Sequence, residues 1–113
     1  MMPSGTRVLV AAKPVDFRKG PESLMALVRE SGADPFSGTL YVFRSRRADR
    51  VKIVWWDGGI CLFAKRLDEG GFRWPRIESG VVRLAAAQLA ALVDGMDWTR
   101  VRVPALRRPH SLG

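Results

Sequence analysis

Residues 40–67 read LYVFRSRRADRVKIVWWDGGICLFAKRL, and this stretch decides the fold. Three runs within it, residues 40–44, 50–56 and 60–67, are rich in β-branched and aromatic side chains, which pack well on a pleated surface. Residues 45–49 and the tripeptide Asp57-Gly58-Gly59 separate them. Asp-Gly suits a tight hairpin, because both central residues of the favoured two-residue turn need positive φ. An antiparallel meander is expected. With Asp57-Gly58 as the loop, Trp55 pairs with Ile60, Ile53 with Leu62 and Val51 with Ala64. That face is apolar throughout and is expected to meet the core. The opposite face then carries Arg50, Lys52, Val54, Trp56, Cys61, Phe63 and Lys65. A one-residue change in the turn would exchange the faces.

Working outward, residues 7–12 read as a short strand ended by Lys13-Pro14. Gly20-Pro21 opens a helix, since proline suits the first helical position and Glu22 complements the positive helix end. Leu24, Leu27 and Val28 form its buried stripe, and Gly32 stops it. On the other side, Gly70-Gly71 makes a turn, and Phe72-Arg73-Trp74 reads as a short last strand stopped by Pro75. Residues 84–94 read as a second helix with Leu89, Leu92 and Val93 on one face and Gly95 at its end. Trp55, Trp74 and Trp98 are expected in the core. From Thr99 onward there are four Arg, two Pro and no acidic residue, the composition of a flexible basic tail. The expected architecture is α+β: an antiparallel meander sheet of four to five strands packed with two helices in residues 1–98, and a tail over residues 99–113.

Nineteen Lys and Arg against eleven Asp and Glu give a net charge of +8, and fifteen of the cations are Arg. Such a field attracts polyanions, and Arg grips phosphate with a planar fork that Lys lacks. The long charge-free stretch, residues 84–93, is ten residues, too short to cross a bilayer. The apolar run at residues 8–12 is too short for a secretory signal, so a cytoplasmic location is expected.

Catalytic chemistry has little to work with. The one histidine, His110, lies in the expected tail, and Cys61 stands alone, which leaves neither a His-dependent triad nor a cysteine metal cluster. Asp34, Asp49, Asp57, Asp68, Glu69, Asp94 and Asp97 are scattered over turns and helix ends, where turn-making and capping are their ordinary roles. Gly58-Gly59 and Gly70-Gly71 lie between strands, so no phosphate-cradling loop precedes a helix. No enzyme, metal or cofactor is expected.

The basic hairpin is the sharper signal. Arg44, Arg46, Arg47, Arg50, Lys52 and Lys65 could reach phosphates while Trp56 offers a ring for stacking. The plainer reading stands beside it: exposed strands carry cations for solubility and edge protection, and a helix would cover Trp56 and Phe63. The two helices are separated by the whole meander, so a helix-turn-helix is not expected and strands and loops would carry any DNA contact.

Several blocks also resemble a known family. Asp16-Phe17-Arg18-Lys19-Gly20, Asp34-Pro35-Phe36-Ser37-Gly38, Val42-Phe43-Arg44, Arg46-Arg47 and Asp49-Arg50 look like the transposon accessory protein TnpB of the insertion sequence 66 family. The likeness continues through Lys52-Ile53, Trp56-Asp57-Gly58, Cys61-Leu62-Phe63, Lys65-Arg66-Leu67, Phe72, Trp74-Pro75, Ala87-Gln88-Leu89 and Gly95-Met96-Asp97-Trp98. Two departures stand out: the Asp57-Gly58-Gly59 turn is one residue shorter than the usual form, and Ala85-Ala86 replaces a Thr-Pro helix start. The resemblance implies a bacterial mobile element whose separate, larger transposase does the strand chemistry. The expected partners are then transposon-end DNA and the transposase, contacted through the basic hairpin. The alternative is a scaffold for the transposase that touches no DNA.

Overall fold

The computed structural model describes residues 6–76 and 81–102. Five strands and two helices follow one another as β1 (Val8–Ala11), α1 (Pro21–Glu30), β2 (Leu40–Arg44), β3 (Arg50–Trp56), β4 (Ile60–Arg66), β5 (Val81–Leu84) and α2 (Ala86–Val93), and a 3-10 turn at Trp98–Arg100 comes last. The sheet has the order β4-β3-β2-β1-β5. The meander β2–β3–β4 is antiparallel as expected, and β5 is antiparallel to β1. β1 lies parallel to β2, with α1 forming the crossover that a parallel pair requires, so the sheet is mixed but mostly antiparallel. The fold is α+β.

The helices cover opposite faces. Leu89 and Leu92 of α2 pack with Val8, Val10, Leu40, Val42, Val51, Ile53 and Leu84. Leu24, Met25 and Val28 of α1 pack with Tyr41, Phe43 and Val54. Successive side chains of β2 therefore enter different clusters, which is why its first four residues are all buried and its sequence runs without polar alternation. Proline sits in the first turn of α1, and Gly32, at φ +92°, closes the far end. The Ala85-Ala86 start of α2 lacks a capping hydroxyl, but Gln88 reaches back and accepts the Ala85 N–H at 2.9 Å, which is half of a capping box.

Three expectations change. The hairpin turn uses three residues, not two: Asp57 N–H donates to Gly59 O at 2.9 Å, Gly58 takes φ +71°, and Trp56 pairs with Ile60. This one-residue shift moves Cys61, Phe63 and Lys65 onto the face of Val51, Ile53 and Trp55. Ile60, Leu62, Ala64 and Arg66 join Arg50, Lys52, Val54 and Trp56 instead. The second correction is Phe72-Arg73-Trp74, which forms no strand. Phe72 makes one backbone bond to Ala48 O and is 5% exposed, filling the core with Trp74 packed beside it. A Cβ on Gly71 would lie 3.1 Å from Ala48 O, a tight contact that the Ala48 carbonyl would have to yield to and that glycine avoids. The third is the fifth strand itself, which is Val81–Leu84, absorbing a residue expected to begin the second helix.

Trp55, Trp74 and Trp98 are all partly buried against the α2-side cluster, and the Trp98 indole donates to Arg73 O. Thr99 and Arg100 belong to the 3-10 turn, while residues 103–113, with His110, lie outside the described residues. Among the described residues no helix is long and apolar enough to cross a membrane.

Candidate nucleic-acid interface

The β2–β3 loop is built around Ser45. Its hydroxyl donates to Asp49 Oδ1 at 3.1 Å and accepts Arg50 N–H at 3.2 Å, while its own N–H donates to Arg50 O at 3.1 Å. Ala48 closes the loop with its N–H on Ser45 O and takes φ +62°, a left-handed conformation that costs a residue with a Cβ. The result is a tied loop that holds Arg46 and Arg47 out in solvent.

Residues 13–20 run beside it. Val15 N–H donates to Arg44 O at 3.0 Å. Asp16 accepts the Arg18 backbone N–H at 2.9 Å and the Arg18 guanidinium through Nε and Nη2, the latter at 2.7 Å. These bonds hold the Asp16 carboxyl well below its usual pKa. Between the two segments lies an open depression of about 620 Å³, with Arg18, Arg46, Arg47 and Arg50 on its walls and Asp16 and Asp49 among its lining. Pro14, Val15 and Phe17 complete the N-terminal side.

Lys52 does a different job from its neighbours. Its ammonium donates to Phe17 O at 2.8 Å and Lys19 O at 2.9 Å and lies 5.0 Å from the centre of the Phe17 ring. This half-buried cation pins the 13–20 segment to β3. Arg44 is also half-buried: its guanidinium lies 6.0 Å from the Trp74 ring centre, and its Nε, like the Trp74 Nε1, has no hydrogen-bond partner among the described residues. Trp56 is half-buried on the α1 side and meets Phe36 edge-on, ring centres 4.9 Å apart at 84°.

Arg50 and Arg66 face each other directly across β3 and β4 on the α1 side. Theirs is a non-hydrogen-bonded pair, because Leu67 N–H donates to Asp49 O one step beyond it. Cα atoms in such pairs are about 4.5 Å apart, and like charges placed so destabilise the sheet. Among the described residues the one ion pair is Arg18–Asp16, so Arg46, Arg47, Arg50, Lys65 and Arg66 carry no bound carboxylate. No group of three or more His, Cys, Asp and Glu that could hold a metal occurs among the described residues.

The structure thus gathers Arg46, Arg47 and Arg50 at one end of the sheet, sets Arg44 and Lys52 inward, and places Lys65 on the α2 side of β4. Two cations were missing from the sequence reading. Arg66 needed the correct register. Arg18 lies in a block already singled out, but only the fold shows that it shares a depression with the hairpin loop.

Residues 6–103 match the protein family described as IS66 Orf2 like protein. Two curated proteins of Sinorhizobium fredii (strain NBRC 101917 / NGR234) are similar over most of their length. Uncharacterized protein y4jC is 42% identical over 107 residues, covering 93% of this chain and 92% of its own. Uncharacterized protein y4hO is 45% identical over 102 residues, covering 87% of this chain and 89% of its own. No solved structure matches significantly.

Proposed function

Because the chain belongs to the IS66 Orf2-like family, whose members are transposition-associated accessory proteins, we propose that it assists transposition by gripping the phosphates of transposon-end DNA. The exposed cations do this, Arg46 and Arg47 from the β2–β3 loop, Arg50 from β3 and Arg66 from β4, with the half-buried Lys65 beside them. Lys52 sets the shape of the surface by fixing residues 13–20, and Arg44 stiffens it from below against Trp74. The carrying observation is the Arg50–Arg66 cross-strand pair beside Arg46 and Arg47: neighbouring cations that, among the described residues, form no ion pair even with Asp49 in the same depression, an arrangement that a phosphate backbone relieves. On this reading the protein is a DNA grip and leaves strand cleavage to a separate transposase.

A fluorescence-anisotropy titration of end duplex against scrambled duplex, over a salt series, tests this. Each phosphate contact contributes a slope of about −0.9 in log K against log salt. The triple change Arg46→Ala, Arg47→Ala, Arg50→Ala is expected to flatten the slope by about three contacts' worth. A wild-type protein that binds neither duplex even at low salt would rule the reading out. Co-purification with the transposase that survives nuclease treatment would favour a protein scaffold instead.

A further inference from the structure

Among the described residues no strand pairs with the outer edge of β4, and its backbone geometry can be read residue by residue. Two bonds bracket the β3–β4 hairpin: Asp57 N–H to Gly59 O, and Leu67 N–H to Asp49 O. In an antiparallel ladder these fix the alternation along the strand. Cys61, Phe63 and Lys65 spend their N–H and C=O groups on β3. Ile60, Leu62, Ala64 and Arg66 turn theirs away from it, and β4 is terminal in the strand order.

Proteins usually guard such an edge with proline, a bulge, a short strand, an inward-pointing charge or exposed charged side chains, lysine above all, and β4 has this last guard only at Lys65 and Arg66. β4 is seven residues long, contains no proline, and pairs with β3 residue for residue without a bulge. Its apolar side chains stand half out of the fold: Ile60 is 39% exposed, Leu62 40% and Phe63 39%. Charge then divides the edge into two halves. Residues 60–64 carry none, whereas Lys65 and Arg66 follow, and Arg50, Lys52, Ala64, Lys65, Arg66 and Phe17 surround a hollow of about 320 Å³ beside them.

We infer that β4 receives an extended segment of a partner protein as a sixth strand, with carboxylates on the segment meeting Arg50 and Arg66 and apolar side chains covering Ile60, Leu62 and Phe63. Strand addition supplies the affinity through main-chain hydrogen bonds, and the charge division sets the polarity. An antiparallel occupant begins acidic and ends apolar. A second copy of the chain does not fit this chemistry: the ICLFAKR strand contains no carboxylate, and each copy carries a net +8. Arg50 is shared with the proposed phosphate contacts, so the test must separate the two.

Ala64→Pro does so. Ala64 N–H points away from β3, so proline there deletes an edge donor and leaves the β3–β4 ladder whole. The probe is a labelled nine-residue peptide whose odd positions, on the face of Arg66, Leu62 and Ile60, are Glu in the first half and Val in the second, with Thr and Val at the even positions on the face of Phe63. Wild type is expected to bind it, and Ala64→Pro to bind it at least tenfold more weakly while gripping duplex DNA unchanged. N-methylation of alternate peptide amides is expected to cost a similar factor, which keeps the question decidable if the proline variant does not fold. Equal binding by the variant or the methylated peptide would overturn the inference, leaving attraction of charge alone. A concentration-dependent dimer that Ala64→Pro dissolves would overturn it in favour of a second copy. Loss of DNA binding by wild type, with peptide binding intact, would fail only the DNA reading.

Discussion

β3 is flanked by two strands of opposite character. On one side β2 is buried through its first four residues, its side chains divided between the α1 and α2 layers. On the other, β4 has similar strand-forming residues, yet five of its seven positions are exposed and none is buried. Composition is not what separates them. β2 lies between two strands and beneath two helices, while β4 has one neighbouring strand and little cover on either face. The same apolar side chain therefore stabilises the fold in one place and is left available in the other.

The sharpest way to break this contrast is paired truncation. Leu89→Ala removes a fully buried side chain from the α2 layer and is expected to cost about 2–5 kcal/mol, whereas Leu62→Ala on β4 is expected to cost under about 1 kcal/mol. Urea unfolding measures both. Comparable losses would mean that β4 is held as firmly as the centre.

Next in size is a contrast between two lysines. Lys52→Met strips a charged donor from the carbonyls of Phe17 and Lys19 and is expected to destabilise by about 1.5–3 kcal/mol, with faster amide exchange over residues 17–20. Lys65→Met, which has no ion pair to lose among the described residues, is expected to change stability by less than about 0.5 kcal/mol. Exchange rates unmoved by Lys52→Met would show that the segment needs no strut.

The two loops beside β3 should respond with opposite signs. Ala48, at φ +62° in the β2–β3 loop, is strained, so Ala48→Gly is expected to stabilise by up to about 1 kcal/mol. Gly58, at φ +71° in the β3–β4 turn, has open space around it but the wrong backbone for a side chain, so Gly58→Ala is expected to cost about 1 kcal/mol. Thermal unfolding of both variants checks the signs.

The smallest effect is electrostatic. Hydrogen bonds from Arg18 hold the Asp16 carboxyl ionised below its ordinary value of 3.8. A carboxylate depressed on folding contributes stability above its unfolded pKa and loses that contribution as pH falls through the folded one. Nothing is expected at neutral pH, and the loss begins only in acid below about pH 4. Arg18→Ala should return the Asp16 titration, followed by carboxyl carbon NMR shifts, toward the ordinary value.

Legibility followed burial. β2 and β3 were readable to the residue, because dense β-branched and aromatic runs end at Ser45 and at Asp57-Gly58. The register of β4 was not, since an edge exposed on both faces gives no pattern to choose between pairings, and the backbone bond that adds Gly59 to the turn leaves no trace in composition. Phe72 and Trp74 alternate as a strand does, yet they fill space at the end of the core. β5 is four residues long and abuts an alanine-rich helix, whose stronger periodicity hides it. The basic cluster was visible as a run from Arg44 to Lys52, but sequence proximity joins cations that the fold divides. Lys52 turns to the Phe17 and Lys19 carbonyls and Arg44 lies over Trp74, while Arg18 and Arg66 arrive from elsewhere.

The position of β1 also governs how the chain can assemble. β2, β3 and β4 are joined by short turns and can zip together from contacts close in sequence. β1 must wait, because Val8 pairs with Leu40 on one side and with Leu84 on the other. During synthesis the N-terminal strand leaves the ribosome first but gains its last neighbour only after most of the chain has followed. Until then its unpaired side is a second exposed ladder, closed only when β5 has been made.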